Sequence, residues 1–191
     1  MTSDKVTMNK VIPQANVKCR KCRSCNERLA HVLGQCMYRK AQRIRRHDKI
    51  RDFVTNKLAN MKDGIKIIEE ALIPTPTGNL KLDLVVNQGR VHVVDVTVRH
   101  EDIGYLDEGY RSKVEKCSPL LEILAEQLNV ERGRVLPLVV GTIGSMPKTT
   151  IDSLRETNIN DRGSFITISL LALRNSIEIY HTFMDYNALV A

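Results

Sequence analysis

Residues 80–98 read Leu80-Lys-Leu-Asp-Leu-Val-Val-Asn-Gln-Gly-Arg-Val-His-Val-Val-Asp-Val-Thr-Val98, and this stretch decides the fold. Two apolar, valine-rich runs at 80–86 and 91–98 flank a short turn sequence that contains Gly89, where a positive φ is needed. The pattern predicts a β-hairpin whose two strands are both internal to a sheet. One aspartate interrupts each run, Asp83 in the first and Asp95 in the second.

Upstream of the hairpin, the sequence predicts one long amphipathic helix from Arg39 to Met61. Its apolar residues recur at steps of three and four, as a helix that buries one face requires; they are Ile44, Ile50, Val54, Leu58 and Met61. A strand rich in β-branched residues is predicted at 65–73. The segment 74–78 contains two prolines and a glycine, so it is predicted to continue neither helix nor strand.

Downstream of the hairpin, the pattern predicts two helices, a strand and two closing helices. The first pair covers 106–117 and 119–128, with Ser118-Pro119 as a fresh N-cap and first helical position. The strand is predicted at 134–140, and the closing helices at 148–157 and 165–187. The core order αβββαβ predicts an α/β fold, a mixed sheet flanked by helices.

Charge is unevenly distributed over the 191 residues. Lys and Arg outnumber Asp and Glu by 29 to 22, for a net charge of +7, and the surplus lies mostly between residues 18 and 62. This asymmetry indicates an acidic polymer as partner. No run approaches the ~20 apolar residues of a membrane-spanning helix, so no membrane partner is expected.

Four of the five cysteines fall within eighteen residues, beside a histidine. The set Cys19, Cys22, His31 and Cys36 offers the four soft or imidazole ligands that tetrahedral zinc requires. Cys25 is a competing ligand, because spacing alone makes the Cys22–Cys25 pair nearly equivalent to the Cys19–Cys22 pair. His31 and Cys36 can both reach one metal only if the helix at 27–33 ends near Gly34 and the chain turns back.

Asp83 and Asp95 are lone carboxylates within apolar strands, and burial of such a charge requires a partner. On adjacent strands they can converge on Mg²⁺, which polarises a phosphodiester and activates water. Many nucleases place a lysine two residues after the second acid, where this chain has Thr97. Lys113 or Lys116, on the following helix, is expected to supply that charge. The alternative is a pair of structural aspartates with ion-pair partners.

The predicted long helix carries a dense basic face. Its candidate DNA-contacting residues are Arg39, Lys40, Arg43, Arg46 and Lys49. Such a face would hold phosphates and position DNA without reading its sequence. The alternative is an ordinary solvated helix.

The order of these motifs resembles one family, the Pol proteins of R-two-type non-LTR retrotransposons. The resemblance is carried by the Cys/His run, by Arg46-His-Asp48, by Asp83 and Asp95, and by Lys113-Val-Glu-Lys116. It implies a zinc knuckle followed by a restriction-like endonuclease of the PD-(D/E)XK class whose lysine has moved to the next helix. It selects Cys19, Cys22, His31 and Cys36 as zinc ligands, with Cys25 spare. Leu82 departs from the family's usual proline.

The resemblance also implies an organisation and a role. The expected units are a flexible arm at 1–17, a CCHC zinc knuckle at 18–38 and the endonuclease domain at 39–191. The expected role is nicking of target DNA, in a ribosomal RNA gene, to give a 3′-hydroxyl primer for reverse transcription in the nucleus. The chain carries no YxDD-like polymerase signature, so the polymerase that handles element RNA is expected elsewhere in a polyprotein. The rival reading is a nuclease-inactive zinc module that binds nucleic acid.

Overall fold

The structure is a computed structural model that describes residues 17–61, 64–76 and 78–185. Apart from Val17, the arm predicted at 1–17 lies outside the described residues. The helices are α1 (Leu29–Gly34), α2 (Lys40–Ala59), α3 (Tyr105–Cys117), α4 (Leu120–Leu128), α5 (Lys148–Glu156) and α6 (Arg162–Asp185), with a 3-10 turn at Met37–Arg39. The strands are β1 (Lys66–Glu69), β2 (Leu72–Thr75), β3 (Gly78–Lys81), β4 (Leu84–Asn87), β5 (Arg90–Arg99) and β6 (Glu131–Gly141).

A four-stranded sheet in the order β1-β4-β5-β6 forms the centre of the fold. Strand β4 runs antiparallel to both β1 and β5, whereas β6 runs parallel to β5 after the α3–α4 crossover. A parallel return strand needs such a crossover, and here it is helical. The predicted α/β class, a mixed sheet flanked by helices with β4 and β5 internal, is therefore confirmed.

The stretch 65–81 differs from the prediction. Two strands replace the single strand expected at 65–73, and β2 leaves the main sheet to pair with β3 in a separate two-stranded ribbon. Pro74, expected to break regular structure, lies inside β2 opposite Asn79. A two-stranded ribbon tolerates this proline because each of its strands has a free edge. The chain then bends at Asp83 before β4 begins, so the strand predicted over 80–86 is interrupted at that aspartate.

Two helical details were also predicted wrongly. Ser118 does not cap α4; its hydroxyl donates to the Val114 carbonyl (2.6 Å) and closes α3, while Pro119 occupies the N-cap position of α4. Ser118 keeps helical dihedrals (φ −56°, ψ −40°), so the two helices follow each other almost without interruption. Ile44, expected on the buried stripe of α2, is 49% exposed, because the core begins only at Ile50.

The sheet buries both faces, which explains the nearly continuous apolar runs in β4 and β5. On one face Val94 and Val96 pack with α2, α5 and α6 through residues such as Ile50 and Ile168. On the other face β5 packs against α3 and α4. Asp95 alternates with Val94 and Val96, so it lies on the α3–α4 face. None of the helices in the described ranges has the length and apolarity needed to cross a membrane.

Candidate functional site

Three thiols and one imidazole meet at the start of the described chain. The ligand atoms of Cys19, Cys22, His31 and Cys36 all lie within 4.8 Å of one another. The Cys19 and Cys36 sulfurs are 3.9 Å apart, and the Cys22 sulfur is 3.2 Å from His31 Nε2. Two sulfurs bound to one tetrahedral zinc would be about 3.8 Å apart, and a sulfur and an imidazole nitrogen about 3.5 Å. The donor set and its spacing fit zinc.

Local backbone geometry brings these four residues together. A tight turn, closed by hydrogen bonds from Cys19 N to Cys25 O and from Arg23 N to Cys19 O (both 2.8 Å), presents Cys19 and Cys22. His31 lies on α1, which ends at Gly34 as predicted, and Cys36 N returns to His31 O (2.7 Å). Cys25 is exposed and lies outside the cluster. Geometry therefore selects Cys19 over Cys25.

The thiols of the cluster have unequal acidities. Burial raises the pKa of Cys36 to about 11, and the neighbouring thiols add to that rise. Burial also acts to raise the pKa of Cys22, but backbone N–H groups of Ser24 and Cys25 help to lower it to about 6. Zinc binds thiolates, and its positive charge would offset the negative charge of three thiolates held this close together.

The cluster packs directly against the end of α6. Phe183, only 1% exposed, contacts Cys19, Val32 and Cys36 in a small apolar core. The Arg20 guanidinium lies 5.6 Å from the centre of the Phe183 ring. Arg20 also bonds the buried Glu27 carboxylate through its backbone N (2.8 Å) and Nε (2.7 Å). The knuckle is thus held against the rest of the domain by apolar and ionic contacts.

Much of the basic face of α2 serves the protein itself. Arg39 donates to Thr182 O (2.8 Å), and Arg43 to Gly34 O. Lys49 donates to Asn175 Oδ1 (2.7 Å). Arg46 is 2% exposed, and its guanidinium donates to Leu33 O (3.0 Å) and Ser176 Oγ (2.7 Å).

These contacts correct the view of α2 as a uniform phosphate-binding face. Arg46 is buried and its guanidinium already has two partners, so we assign it to holding the knuckle helix and α6 against α2. Burial lowers the pKa of Arg46 to about 10. Lys40 stays exposed at the wall of a cleft of about 550 Å³, together with His47, Lys81 and Asp83.

Asp83 lies at the bend before β4, and its carboxylate is held in place from two sides. Oδ2 accepts hydrogen bonds from Val96 N (2.8 Å) and His47 Nε2 (3.0 Å). Burial would raise the pKa of Asp83, but the His47 hydrogen bond and charge outweigh it and leave the pKa below its usual value. The same contacts raise the pKa of His47 to about 8, against the opposing effect of burial.

Asp95 lies on β5 and faces α3. Lys113 Nζ is 2.5 Å from Asp95 Oδ1, and the carboxylate is almost fully buried. Burial raises the pKa of Asp95 even though Lys113 opposes the rise. Lys116 is exposed and influences Asp95 only at a distance. Of the two candidate lysines, the structure brings Lys113 to the acidic residue.

The two aspartates are linked through the backbone of β5. Asp83 accepts a hydrogen bond from Val96 N, and Val96 directly follows Asp95. The described residues hold one group of three or more Cys, His, Asp or Glu ligand atoms within 4.8 Å, and that group is the cysteine–histidine cluster. The acidic pair is therefore not a complete protein cage. Mg²⁺ seldom uses one, because it retains waters and shares its coordination with phosphates.

Known proteins support the retrotransposon resemblance. No family model matches the chain. The "Retrovirus-related Pol polyprotein from type-1 retrotransposable element R2" of Popillia japonica is 37% identical to it over 135 residues, 66% of this chain. The chain is related to an R-two-type Pol polyprotein. The match spans only 27% of that protein's length, and the relationship supports a retrotransposon-related role.

Sequence reasoning missed the part played by His47. The motif Arg46-His-Asp48 contributes to the family resemblance, and its sequence context suggests only that the three residues orient the helix against the core or DNA. The structure assigns that role to Arg46, whereas His47 contacts Asp83 and the Val96 carbonyl. The residues around His47, such as Ile50 and Arg51, give no sign that its partner Asp83 lies thirty-six residues further along the chain.

Proposed function

We propose that this chain is a Mg²⁺-dependent DNA endonuclease with a restriction-endonuclease-like fold, part of a retrotransposon polyprotein that also contains an RNA-directed DNA polymerase. The observation that carries the proposal is the meeting of two aspartates and a lysine beside the start of β4. Asp83, at the bend before β4, bonds the backbone of β5 next to Asp95, and a lysine from the next helix contacts Asp95. Two carboxylates and a lysine in one place are the groups that phosphodiester hydrolysis needs.

Asp83, Asp95 and the Val96 carbonyl would hold the metal. Bound Mg²⁺ would polarise the scissile phosphate and increase the acidity of an attacking water. Lys113 carries a fixed positive charge within 2.5 Å of Asp95, where it would orient the nucleophile or stabilise charge on the phosphate. Lys116 is too exposed to do the same work and is better suited to contact DNA outside the reacting group.

The zinc site has a structural role in this proposal. A CCHC set with no spare protein position closes the tetrahedron, as structural zinc sites do. The apolar core of the knuckle is small, so metal binding would supply much of its stability. In this proposal residues 18–38 form the structural zinc unit and residues 39–191 the catalytic unit. Arg43, Arg46 and Phe183 connect the two units closely.

The substrate would be target DNA in a ribosomal RNA gene, cut in the nucleus to leave a 3′ hydroxyl for target-primed reverse transcription of element RNA. The exposed Lys40 and the neighbouring Lys81 line the cleft that ends at Asp83. They would attract the phosphate backbone without specifying sequence. Arg46 borders the same cleft, but it is buried and its guanidinium already bonds Leu33 O and Ser176 Oγ.

One observation favours the rival, a nuclease-inactive module that binds nucleic acid. Both aspartates already have protein partners, His47 for Asp83 and Lys113 for Asp95. A structural ion pair satisfies a buried carboxylate as well as a metal does. The two functions differ in what Mg²⁺ does, which makes them separable by experiment.

The test is nicking of supercoiled plasmid by the zinc-loaded chain, with Mg²⁺ or chelator. Asp83→Asn and Asp95→Asn should abolish Mg²⁺-dependent nicking, whereas Asp152→Asn, an exposed acid on α5, should not. Gel-shift assays of all four proteins would confirm that DNA binding survives. Mg²⁺-dependent nicking by both aspartate variants at the wild-type rate would refute the assignment. Salt-sensitive binding without any Mg²⁺-dependent cut would favour the rival module.

A further inference from the structure

His47 reaches Asp83, the first aspartate of the acidic pair, from a different element than either aspartate. It lies on α2, with its side chain 27% exposed at the wall of the cleft. Its Nε2 atom is 3.0 Å from Asp83 Oδ2 and 3.1 Å from the Val96 carbonyl oxygen. One imidazole nitrogen therefore touches both oxygen donors that the proposed function assigns to the metal in this part of the site.

The spacing of these atoms matches that of neighbouring ligands on an octahedral cation. With metal–ligand bonds of about 2.1 Å, adjacent ligands lie about 3.0 Å apart. The two observed separations of His47 Nε2, 3.0 and 3.1 Å, agree with that edge length. A cation placed beside the three atoms could bind all of them after small side-chain adjustments.

The other ring nitrogen of His47 has the partner that metal-binding histidines usually have. Nδ1 lies 3.1 Å from Asp48 Oδ1. A carboxylate at that position accepts the Nδ1 proton and fixes the ring orientation, so a metal that displaces the Nε2 proton would meet the Nε2 lone pair. The neighbouring residue in sequence therefore selects the tautomer that coordination needs.

The position of His47 is fixed by its neighbours along α2. One residue earlier, Arg46 fastens the helix to Leu33 O and Ser176. Two residues later, Lys49 binds Asn175 on α6. These contacts, on the side of α2 that faces the knuckle and α6, hold the imidazole over the bend at Asp83. Such preorganisation is expected of a ligand rather than of a chance surface ion pair.

We propose that His47 is a protein ligand of the catalytic divalent cation, acting with the Asp83 and Val96 oxygens that it touches, and that Asp48 is its positioning residue. This inference rests on the proposed function, because it concerns the same metal. It predicts a mixed nitrogen and oxygen coordination. Such a site accepts Mn²⁺ readily, since imidazole is a better ligand for transition metals than for Mg²⁺.

The test is electron spin-echo spectroscopy of Mn²⁺ bound to the zinc-loaded chain, because a directly bound imidazole modulates the echo through its ¹⁴N nucleus. The wild type should show ¹⁴N modulation, and His47→Gln should lose it. His47→Gln should also weaken Mn²⁺ binding, measured by calorimetry, about 10- to 100-fold. The matched control is His100→Gln, since His100 is also half-buried but bonds Thr142 (3.1 Å). This control should keep both the modulation and the affinity.

A second variant keeps the test informative if His47→Gln folds poorly. His47→Glu provides an oxygen ligand, so it should recover Mn²⁺ affinity while showing no ¹⁴N modulation. Mn²⁺ that binds through Asp83 and Asp95 without ¹⁴N modulation, or with modulation that survives His47→Gln, would overturn the inference and leave the endonuclease proposal intact. If Mn²⁺ binding is unaffected by Asp83→Asn and Asp95→Asn, the His47 inference and the endonuclease proposal fail together.

Discussion

Truncation of Phe183 tests whether the end of α6 holds the zinc knuckle in place. The ring is 1% exposed and packs on Cys19, Val32 and Cys36. Removal of a buried phenylalanine side chain costs about 3–5 kcal/mol. Arg20 and Arg39 also make cation–π contacts with this ring. Because both arginines are partly exposed, the loss of each contact adds about 0.5–1 kcal/mol. We expect Phe183→Ala to lower the free energy of unfolding by about 4–7 kcal/mol.

The same substitution should loosen zinc. If about 3 kcal/mol of the loss falls on docking of the knuckle, the open form becomes about 100-fold more populated. Urea unfolding followed by circular dichroism measures the first effect, and zinc transfer to a chromogenic chelator measures the second. Ile177→Ala is the control, since Ile177 lies on the same helix but is 46% exposed. A Phe183→Ala protein that behaves like this control in both assays would refute the docking role of α6.

Three further predictions concern the lysines, pH and zinc. Lys113→Met should reduce Mg²⁺-dependent nicking by about 10²–10³-fold, the typical effect of losing one transition-state contact, while Lys116→Met, on the exposed side of α3, should have a far smaller effect in the same plasmid assay. A rise of the His47 pKa from 6.5 to about 8 corresponds to roughly 2 kcal/mol of stability that is complete below pH 6.5 and is lost as pH rises through 8. In zinc-loaded, Mg²⁺-free protein, unfolding at pH 6 and 9 should therefore show this loss in the wild type and not in His47→Gln; equal losses would contradict it. Cys25→Ser should retain one zinc per chain by metal analysis, whereas Cys36→Ser should not; the reverse result would transfer ligation to Cys25.

The features that the sequence predicted correctly depend on local pattern. Nearly continuous apolar content defines β4 and β5, because each strand is buried on both faces. The knuckle residues lie within eighteen positions, so their spacing already limits which thiols can meet. The end of α1 near Gly34 follows from the same constraint, since Cys36 must return to His31.

The errors arise where a contact joins distant parts of the chain. Arg46 is basic like its neighbours, but its partners Leu33 and Ser176 are 13 and 130 residues away. A count of charges cannot distinguish an arginine that binds main-chain carbonyls from one that faces solvent. The prediction that Pro74 ends regular structure was wrong because it considered the proline alone. The separate β2–β3 ribbon, which tolerates the proline, is not encoded in any single residue.

The choice between the two lysines was accessible from the sequence. Gly109 and Cys117, both buried, lie four residues before and four after Lys113, so these three residues share one stripe of α3. A Cβ added at Gly109 would lie 2.9 Å from the Arg99 side chain and 3.4 Å from Val139, which shows how closely this stripe approaches the sheet. Lys116 is off the stripe. Small residues at steps of four thus marked the lysine that faces Asp95.

The shared core of the knuckle and α6 has an evolutionary consequence. Phe183 comes from the last turns of the final described helix, yet it completes a module that begins at Cys19. A recombination event that moved residues 18–38 alone onto another protein would leave that module without its apolar cover. The two ends of the domain should therefore be inherited together, and substitutions at 183 should covary with those at Val32.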